Sequence, residues 1–266
     1  MVQADQDTVP VTPAPVIAIA ADRQCRLVWH NEDALTYEIG SANAGRCFVK
    51  WAPVTSSVNL DDEAERMAWA AAYTPVPAVL SQGADDAGHW ILTAALPGSN
   101  AVEPKWKADP RTAVVAIGEG LRAMHDAMPV SACPFSWTAR LRVDRVVAAA
   151  NAGRMRQPDE WQPEHAHLSP DEALRLVCDV PPDDQVVVCH GDACAPNTLL
   201  ADDGRWSGHV DLGALGVGDR WADLAIATWS TEWNYGPGWE QLLLDAYGVA
   251  ADPDRARYYR LLWDLD

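Results

Sequence analysis

Apolar and polar positions alternate over residues 35–39, and short runs rich in β-branched and aromatic residues flank them at 26–29 and 46–51, which predicts three short strands. Residues 60–72 then switch to helical spacing, and strand patterning returns near Val79 and over 89–93. That order, strands, one helix, more strands, describes an α+β region spanning 15–95. Before it, residues 9–15 are rich in proline and threonine with little to pack, and residues 1–14 read as a disordered lead-in. Leu96-Pro97-Gly98 breaks the pattern and marks a connection to a second region, 96–266. There residues 111–128, 136–152, 169–178 and 238–247 carry apolar residues at helical spacing, interrupted by two predicted strands at 185–189 and 208–211. The second region is therefore mainly helical.

Composition bounds the function. With 266 residues, 48% hydrophobic and 22% charged, the chain can bury a sizeable core as one large domain or two lobes. Asp plus Glu number 38 against 20 Lys plus Arg, a net charge of −18 that opposes polyanions. Nucleic acid and anionic membrane surfaces are excluded as expected partners, and a cationic small molecule is favoured. No apolar run approaches the ~18–20 residues of a membrane helix. The first basic residue is Arg23, after Asp5 and Asp7, the wrong sign for a secretory leader, so a cytoplasmic location is expected. The six cysteines form no CxxC pair and read as reduced, mostly buried thiols.

The sharpest chemistry lies at His190-Gly191-Asp192, directly after the apolar run Val186-Val187-Val188-Cys189, with Asn197 five positions beyond Asp192. A carboxylate at a strand end can take a proton from an attacking hydroxyl, and an amide oxygen one loop later can bind a metal. This is the H-x-D-x-x-x-x-N spacing of kinase catalytic loops. Nineteen residues after Asp192, His209-Val210-Asp211-Leu212-Gly213 supplies a second carboxylate where phosphoryl transfer wants a magnesium ligand. Upstream, Phe48-Val49-Lys50 sets a lysine on a predicted strand, and Glu63 on the following helix can pair with it. Each has a plainer explanation: most strand lysines are simply solvated, and the acids around Glu63 favour a helix start. His190, Asp192, His209 and Asp211 also form two H-x-D pairs, which leaves a metal-dependent hydrolase as a rival reading.

Taken in order, these elements resemble the aminoglycoside phosphotransferases, kinase-like antibiotic kinases, most closely the 3′ (neomycin/kanamycin) type. Residues 190–197, His-Gly-Asp-Ala-Cys-Ala-Pro-Asn, are similar to the family's H-G-D-A-C-L-P-N, and 211–225 to its D-x-G-R-L-G-V-A-D-R-Y-x-D-I-A. Met124-His125, Cys133-Pro134-Phe135, 63–69 and 258–262 also correspond.

The resemblance implies a protein-kinase-like two-lobed α+β fold: an N-terminal β-sheet lobe with one helix and a larger, mainly helical C-terminal lobe. It implies transfer of the ATP γ-phosphate to an aminoglycoside hydroxyl, 3′ favoured and 3″ the alternative, by a monomer or weak dimer that confers antibiotic resistance. Asp192 becomes the catalytic aspartate, and Asn197 and Asp211 become the Mg2+ ligands. Lys50 contacts the α and β phosphates with Glu63 holding it, Phe48 stacks on adenine, and the backbone of Ala94 and Leu96 hydrogen-bonds it. The loop around residues 31–35 covers the phosphates. Asp159, Glu160, Glu164 and Asp264, with Asp266 assisting, form an acidic wall for the cationic substrate.

Asp219, Arg220 and Asp223 read as a helix start that braces the catalytic loop. The chain departs from the family pattern at Gln162, Pro163, Ala214 and Trp263, on or close to the substrate side. Trp161, Trp233 and Trp263 stack on a sugar or fill the core. A kinase of a non-antibiotic sugar or amino alcohol is the alternative function.

Overall fold

The structure is a computed structural model and describes residues 10–41 and 45–266. Residues 1–9 of the predicted lead-in lie outside them. The chain divides into two compact units, one through Leu96 and one from Pro97.

In the first unit, α1 (Ala14–Ala20) precedes β1 (Cys25–His30), β2 (Leu35–Ile39), β3 (Cys47–Pro53), α2 (Leu60–Ala70), β4 (Val79–Ala84) and β5 (Gly88–Ala94). The strands form one antiparallel sheet in the order β1-β2-β3-β5-β4. Alternation sets its register: Leu35, Tyr37 and Ile39 of β2 join Cys47 and Val49 of β3 in one buried cluster with Val16 and Ala20 of α1. The helix α1, which the pattern does not predict, is one short apolar segment closing that cluster. The start of α2 is fixed by Asn59, whose Oδ1 accepts from the amides of Asp61 (3.1 Å) and Asp62 (3.2 Å). Acids at 61–63 then sit at the positive end of the helix.

The second unit runs β6 (Ser99–Asn100), α3 (Pro104–Lys107), α4 (Pro110–Ala127), α5 (Ala139–Asn151), α6 (Pro170–Cys178), β7 (Val186–Cys189), β8 (Thr198–Leu200), β9 (Trp206–His209), β10 (Gly216–Asp219), α7 (Trp221–Tyr235), α8 (Glu240–Tyr247) and α9 (Pro253–Leu265). Its core joins α4, α7, α8 and α9 around Ile117, Leu121, Trp221, Leu243 and Tyr259. Two small antiparallel sheets, β10-β7 and β6-β8-β9, project from it. Sequence caps set the boundaries: Ser169 and Glu172 close a capping box on α6, and Thr138 caps α5, which therefore starts three residues later than the pattern predicts.

No helix among the described residues is long and apolar enough to cross a membrane. The cysteines depart from expectation. All six are free, but only Cys47 and Cys189 are buried, while Cys25 and Cys178 are exposed.

Candidate active site

In the first unit the candidate residues begin on β3. Its alternation turns Cys47 and Val49 into the core and Phe48 and Lys50 to the other face. Lys50 Nζ donates to Glu63 Oε2 at 2.8 Å, with the two side chains 16% and 5% exposed. Taking either charge away would leave its partner largely desolvated, so the pair holds the ammonium in one position. The guanidinium of Arg46 lies 5.8 Å from the Phe48 ring. At the end of β5, the Ala94 amide donates to Ala78 O (2.9 Å) and Leu96 O accepts from Arg46 (3.0 Å). Those bonds narrow what the two residues can offer a ligand to the Ala94 carbonyl and the Leu96 amide. The loop at 31–35 is an Asx turn, with Asn31 Oδ1 accepting from the amides of Asp33 (2.9 Å) and Ala34 (2.8 Å).

In the second unit the buried strand β7 delivers His190-Gly191-Asp192. His190 is fully buried; its Nε2 donates to Val210 O (3.0 Å) and its Nδ1 accepts from the Asp192 amide (3.3 Å), which the neutral ring satisfies. Gly191 adopts φ +88°, and a Cβ there would come within 2.3 Å of Ala214 O, so no other residue fits. The loop is anchored by Asp223, buried at the start of α7. Its Oδ2 accepts from the His190 amide (2.6 Å) and from His125 Nε2 (2.9 Å), and its Oδ1 from the Gly191 amide (2.9 Å). Burial alone would raise the Asp223 pKa, but the His125 hydrogen bond and nearby charge hold it below the usual carboxylate range. The chain of support extends outward from His125 Nδ1 to the Tyr247 hydroxyl (2.8 Å), whose own pKa burial pushes up to about 12.

Asp192 is oriented by Asn197, whose Nδ2 donates both to Asp192 Oδ2 (3.1 Å) and to Asp192 O (2.9 Å). Its Oδ1 is buried without a strong donor, the weak Cys194 thiol being its neighbour. Burial raises the Asp192 pKa, and the charge of Asp211 raises it further. Asp211, just past β9 and not on it as the pattern predicts, takes a left-handed φ of +63°. That conformation is uncommon away from glycine, though aspartate tolerates it better than most residues.

Two neighbouring carboxylates with an orphaned oxygen, and an asparagine whose nitrogen is committed so that its oxygen remains for a cation, make a donor set suited to a hard divalent ion. The two H-x-D pairs do not form a dinuclear centre. Both nitrogens of His190 are taken by backbone, and no group of three His, Cys, Asp or Glu side chains that could hold a metal occurs among the described residues.

The expected acidic wall divides. Asp159, Glu160 and Glu164 are exposed on the loop after α5. Asp264 is not part of a wall. It is fully buried, and its Oδ2 accepts from His165 Nδ1 (2.6 Å) and the Gln162 amide (3.1 Å), so it ties that loop to α9. Asp266 is likewise taken up by Arg142 (2.8 Å) and Arg145 (2.9 Å). Residue types alone do not announce either partnership.

Residues 24–259 match the model of the phosphotransferase enzyme family, APH. The chain belongs to this family. It is 38% identical over 225 residues to an aminoglycoside 3′-phosphotransferase of Streptomyces fradiae, covering 79% of this chain and 81% of that one. It is 36% identical over 236 residues to a streptomycin 3″-kinase of Streptomyces griseus, covering 82% and 84%. Among solved structures it is similar to the aminoglycoside phosphotransferase APH(3″)-Id from Streptomyces rimosus in complex with ADP and streptomycin, with a TM-score of 0.76, 28% identity and coverage of 93% and 94%. A choline/ethanolamine kinase family protein from Mesorhizobium loti shares the kinase-like fold at 19% identity, with a TM-score of 0.62. The span matched by the phosphotransferase family model takes in the residues described above from Lys50 to Asp223, while Asp264 and Asp266 lie beyond it.

Proposed function

We propose that this phosphotransferase moves the γ-phosphate of ATP to a ring hydroxyl of an aminoglycoside, the 3′ position favoured, and so confers resistance. The observation that carries this reading is the Asp192 carboxylate, buried, oriented by Asn197 and raised in pKa beside Asp211. A raised pKa makes it a better proton acceptor than a free carboxylate. Asp192 orients the acceptor hydroxyl and takes its proton as the new O–P bond forms and the bond from the γ-phosphorus to the β–γ bridging oxygen breaks, leaving ADP. Lys50, fixed by Glu63, holds the α and β phosphates; Phe48 supports the adenine face, and the Ala94 carbonyl and Leu96 amide its edge.

Asn197 Oδ1 and the Asp211 carboxylate would hold Mg2+, which when bound supplies neutralisation of phosphate charge. The exposed acids Asp159, Glu160 and Glu164 supply attraction for a polycation, each exposed contact contributing about 0–1 kcal/mol. The relatives at 38% and 36% identity, which bear 3′ and 3″ names, support the substrate class.

A coupled ADP-release assay tests this across kanamycin, neomycin, streptomycin, common sugars and amino alcohols, with the phosphate of any product mapped by NMR. Turnover of an aminoglycoside is expected. Turnover confined to a sugar or an amino alcohol would overturn the antibiotic assignment, and modification of streptomycin alone would move the hydroxyl to 3″.

A further inference from the structure

We propose that Trp233 and Trp263 form an aromatic platform that binds a cationic ring of the acceptor by stacking, in the place where an acidic wall is expected from Asp264. The proposal rests on the aminoglycoside reading above and names specificity-determining residues for it.

Three indoles meet at one place. Trp229 and Trp233 are one turn apart on α7, with ring centroids 5.0 Å apart, and Trp263 of α9 contacts both, at 6.1 Å and 5.7 Å. Trp229 is buried at the back, with the guanidinium of Arg260 5.6 Å from its ring centroid. Trp233 is 38% exposed and Trp263 partly so. Trp161, the other tryptophan of this neighbourhood, is buried and belongs to the core. A core is served by closed apolar packing and gains nothing from keeping its outermost indole more than one-third in water.

The platform stands next to the reacting groups. Ser230, between Trp229 and Trp233, accepts from the Ala195 amide at 2.9 Å, which pins this turn of α7 to the loop joining Asp192 and Asn197. The acid-bearing loop reaches it from the other side: the ring of His165 packs edge-on against Trp229 at 5.5 Å, and His165 is held by Asp264, the neighbour of Trp263. Asp264 is thereby withdrawn from solvent, and what its neighbourhood leaves accessible instead is part of the indoles of Trp233 and Trp263.

An indole face attracts a cation through its quadrupole, and tryptophan does so best among the aromatic residues. The occupant that fits is an aminocyclitol or amino-sugar ring. Its C–H face covers the indole, its ammonium groups sit over the ring or at the acidic rim, and its sign matches the −18 chain. Arg260 on Trp229 is the same contact made within the protein.

The test compares Trp233→Leu, which keeps apolar bulk without a π-face, with Trp233→Phe, which keeps the face. KM for kanamycin and for ATP, kcat, and calorimetric binding of kanamycin without nucleotide are measured for both and for wild type. The expected result is a roughly tenfold rise in KM and Kd for kanamycin in the Leu variant, a two- to threefold rise in the Phe variant, and an unchanged KM for ATP, in line with a contact of about 0.5–2 kcal/mol. Trp263→Leu should repeat the pattern.

Leu and Phe variants that bind kanamycin like wild type, while wild type turns it over, would overturn the platform and leave the aminoglycoside reading intact. Equal losses for ATP and kanamycin would also overturn it, since they would mark a packing role. Neither binding nor turnover of any aminoglycoside by wild type would overturn both.

Discussion

Replacing Asp223 by asparagine removes one acceptor from a carboxylate on which the whole catalytic loop hangs. The native Oδ2 takes the His190 amide and His125 Nε2, and Oδ1 takes the Gly191 amide. An amide side chain keeps one oxygen. With that oxygen where His190 and His125 converge, its NH2 group faces the Gly191 amide donor to donor. One charge-assisted bond of about 1.5–3 kcal/mol is lost, and the other two fall toward the neutral value of about 1 kcal/mol. The expected loss of stability is about 2.5–7 kcal/mol, a large share of the total of about 5–15 kcal/mol of a typical domain.

Urea unfolding followed by tryptophan fluorescence should show a lower midpoint with an unchanged slope. In parallel kcat should fall, because the same bonds position Asp192. The pH dependence adds a sign. The folded-state pKa of Asp223 lies below the unfolded value, so its contribution is complete above the ordinary carboxylate pKa of about 4 and is lost as pH falls through the folded value. The gap between wild type and variant should therefore narrow below about pH 4. A variant within about 0.5 kcal/mol of wild type at neutral pH, or a gap that widens on acidification, would refute the reasoning.

Lys50→Ala should raise KM for ATP at least tenfold with little change in KM for the acceptor, and Glu63→Gln should do the same more weakly, since the 2.8 Å contact survives without its charge; steady-state kinetics on both substrates decide this. Asp211→Asn should shift the magnesium concentration for half-maximal rate upward, and a magnesium titration indistinguishable from wild type would remove Asp211 from the metal site. Asp264→Ala, which removes the acceptor of buried His165 Nδ1 and of the Gln162 amide, should cost about 1–3 kcal/mol of stability in urea unfolding, and KM for kanamycin in the folded fraction should change less than in Trp233→Leu.

The sheet of the first unit was legible chiefly through β2 and β3, each of which presents one buried face, as the alternating burial of β2 records. The start of α7 was legible in Asp219, Arg220 and Asp223, but its length was not. Its residues from Trp221 through Thr231 are all buried, so no polar stripe interrupts the apolar run and periodicity has nothing to register. The short strands β8 and β10 escaped for a different reason: three or four residues carry too little pattern, and pairing with β9 and β7 defines them. At the site, Asp192, Asn197, Asp211 and Lys50 could be picked out because their chemistry travels in short, ordered motifs. Asp264 could not be placed, because the residue that buries it, His165, lies 99 positions away. His125 stood in the same position: a single histidine on the apolar helix α4, it became part of the site only through Asp223, 98 residues on.

The central claim is that Asp192 carries phosphoryl transfer. A single-turnover measurement with wild type and Asp192→Ala, each saturated with Mg–ATP and mixed with kanamycin, reads it directly, with nucleotide affinity measured on the same samples by calorimetry. The account predicts that the variant binds ATP as wild type does and forms phosphorylated kanamycin at least a hundredfold more slowly, in keeping with the loss of a general base of about 10²–10⁴-fold. Phosphorylation at the wild-type rate with ATP binding intact would contradict it.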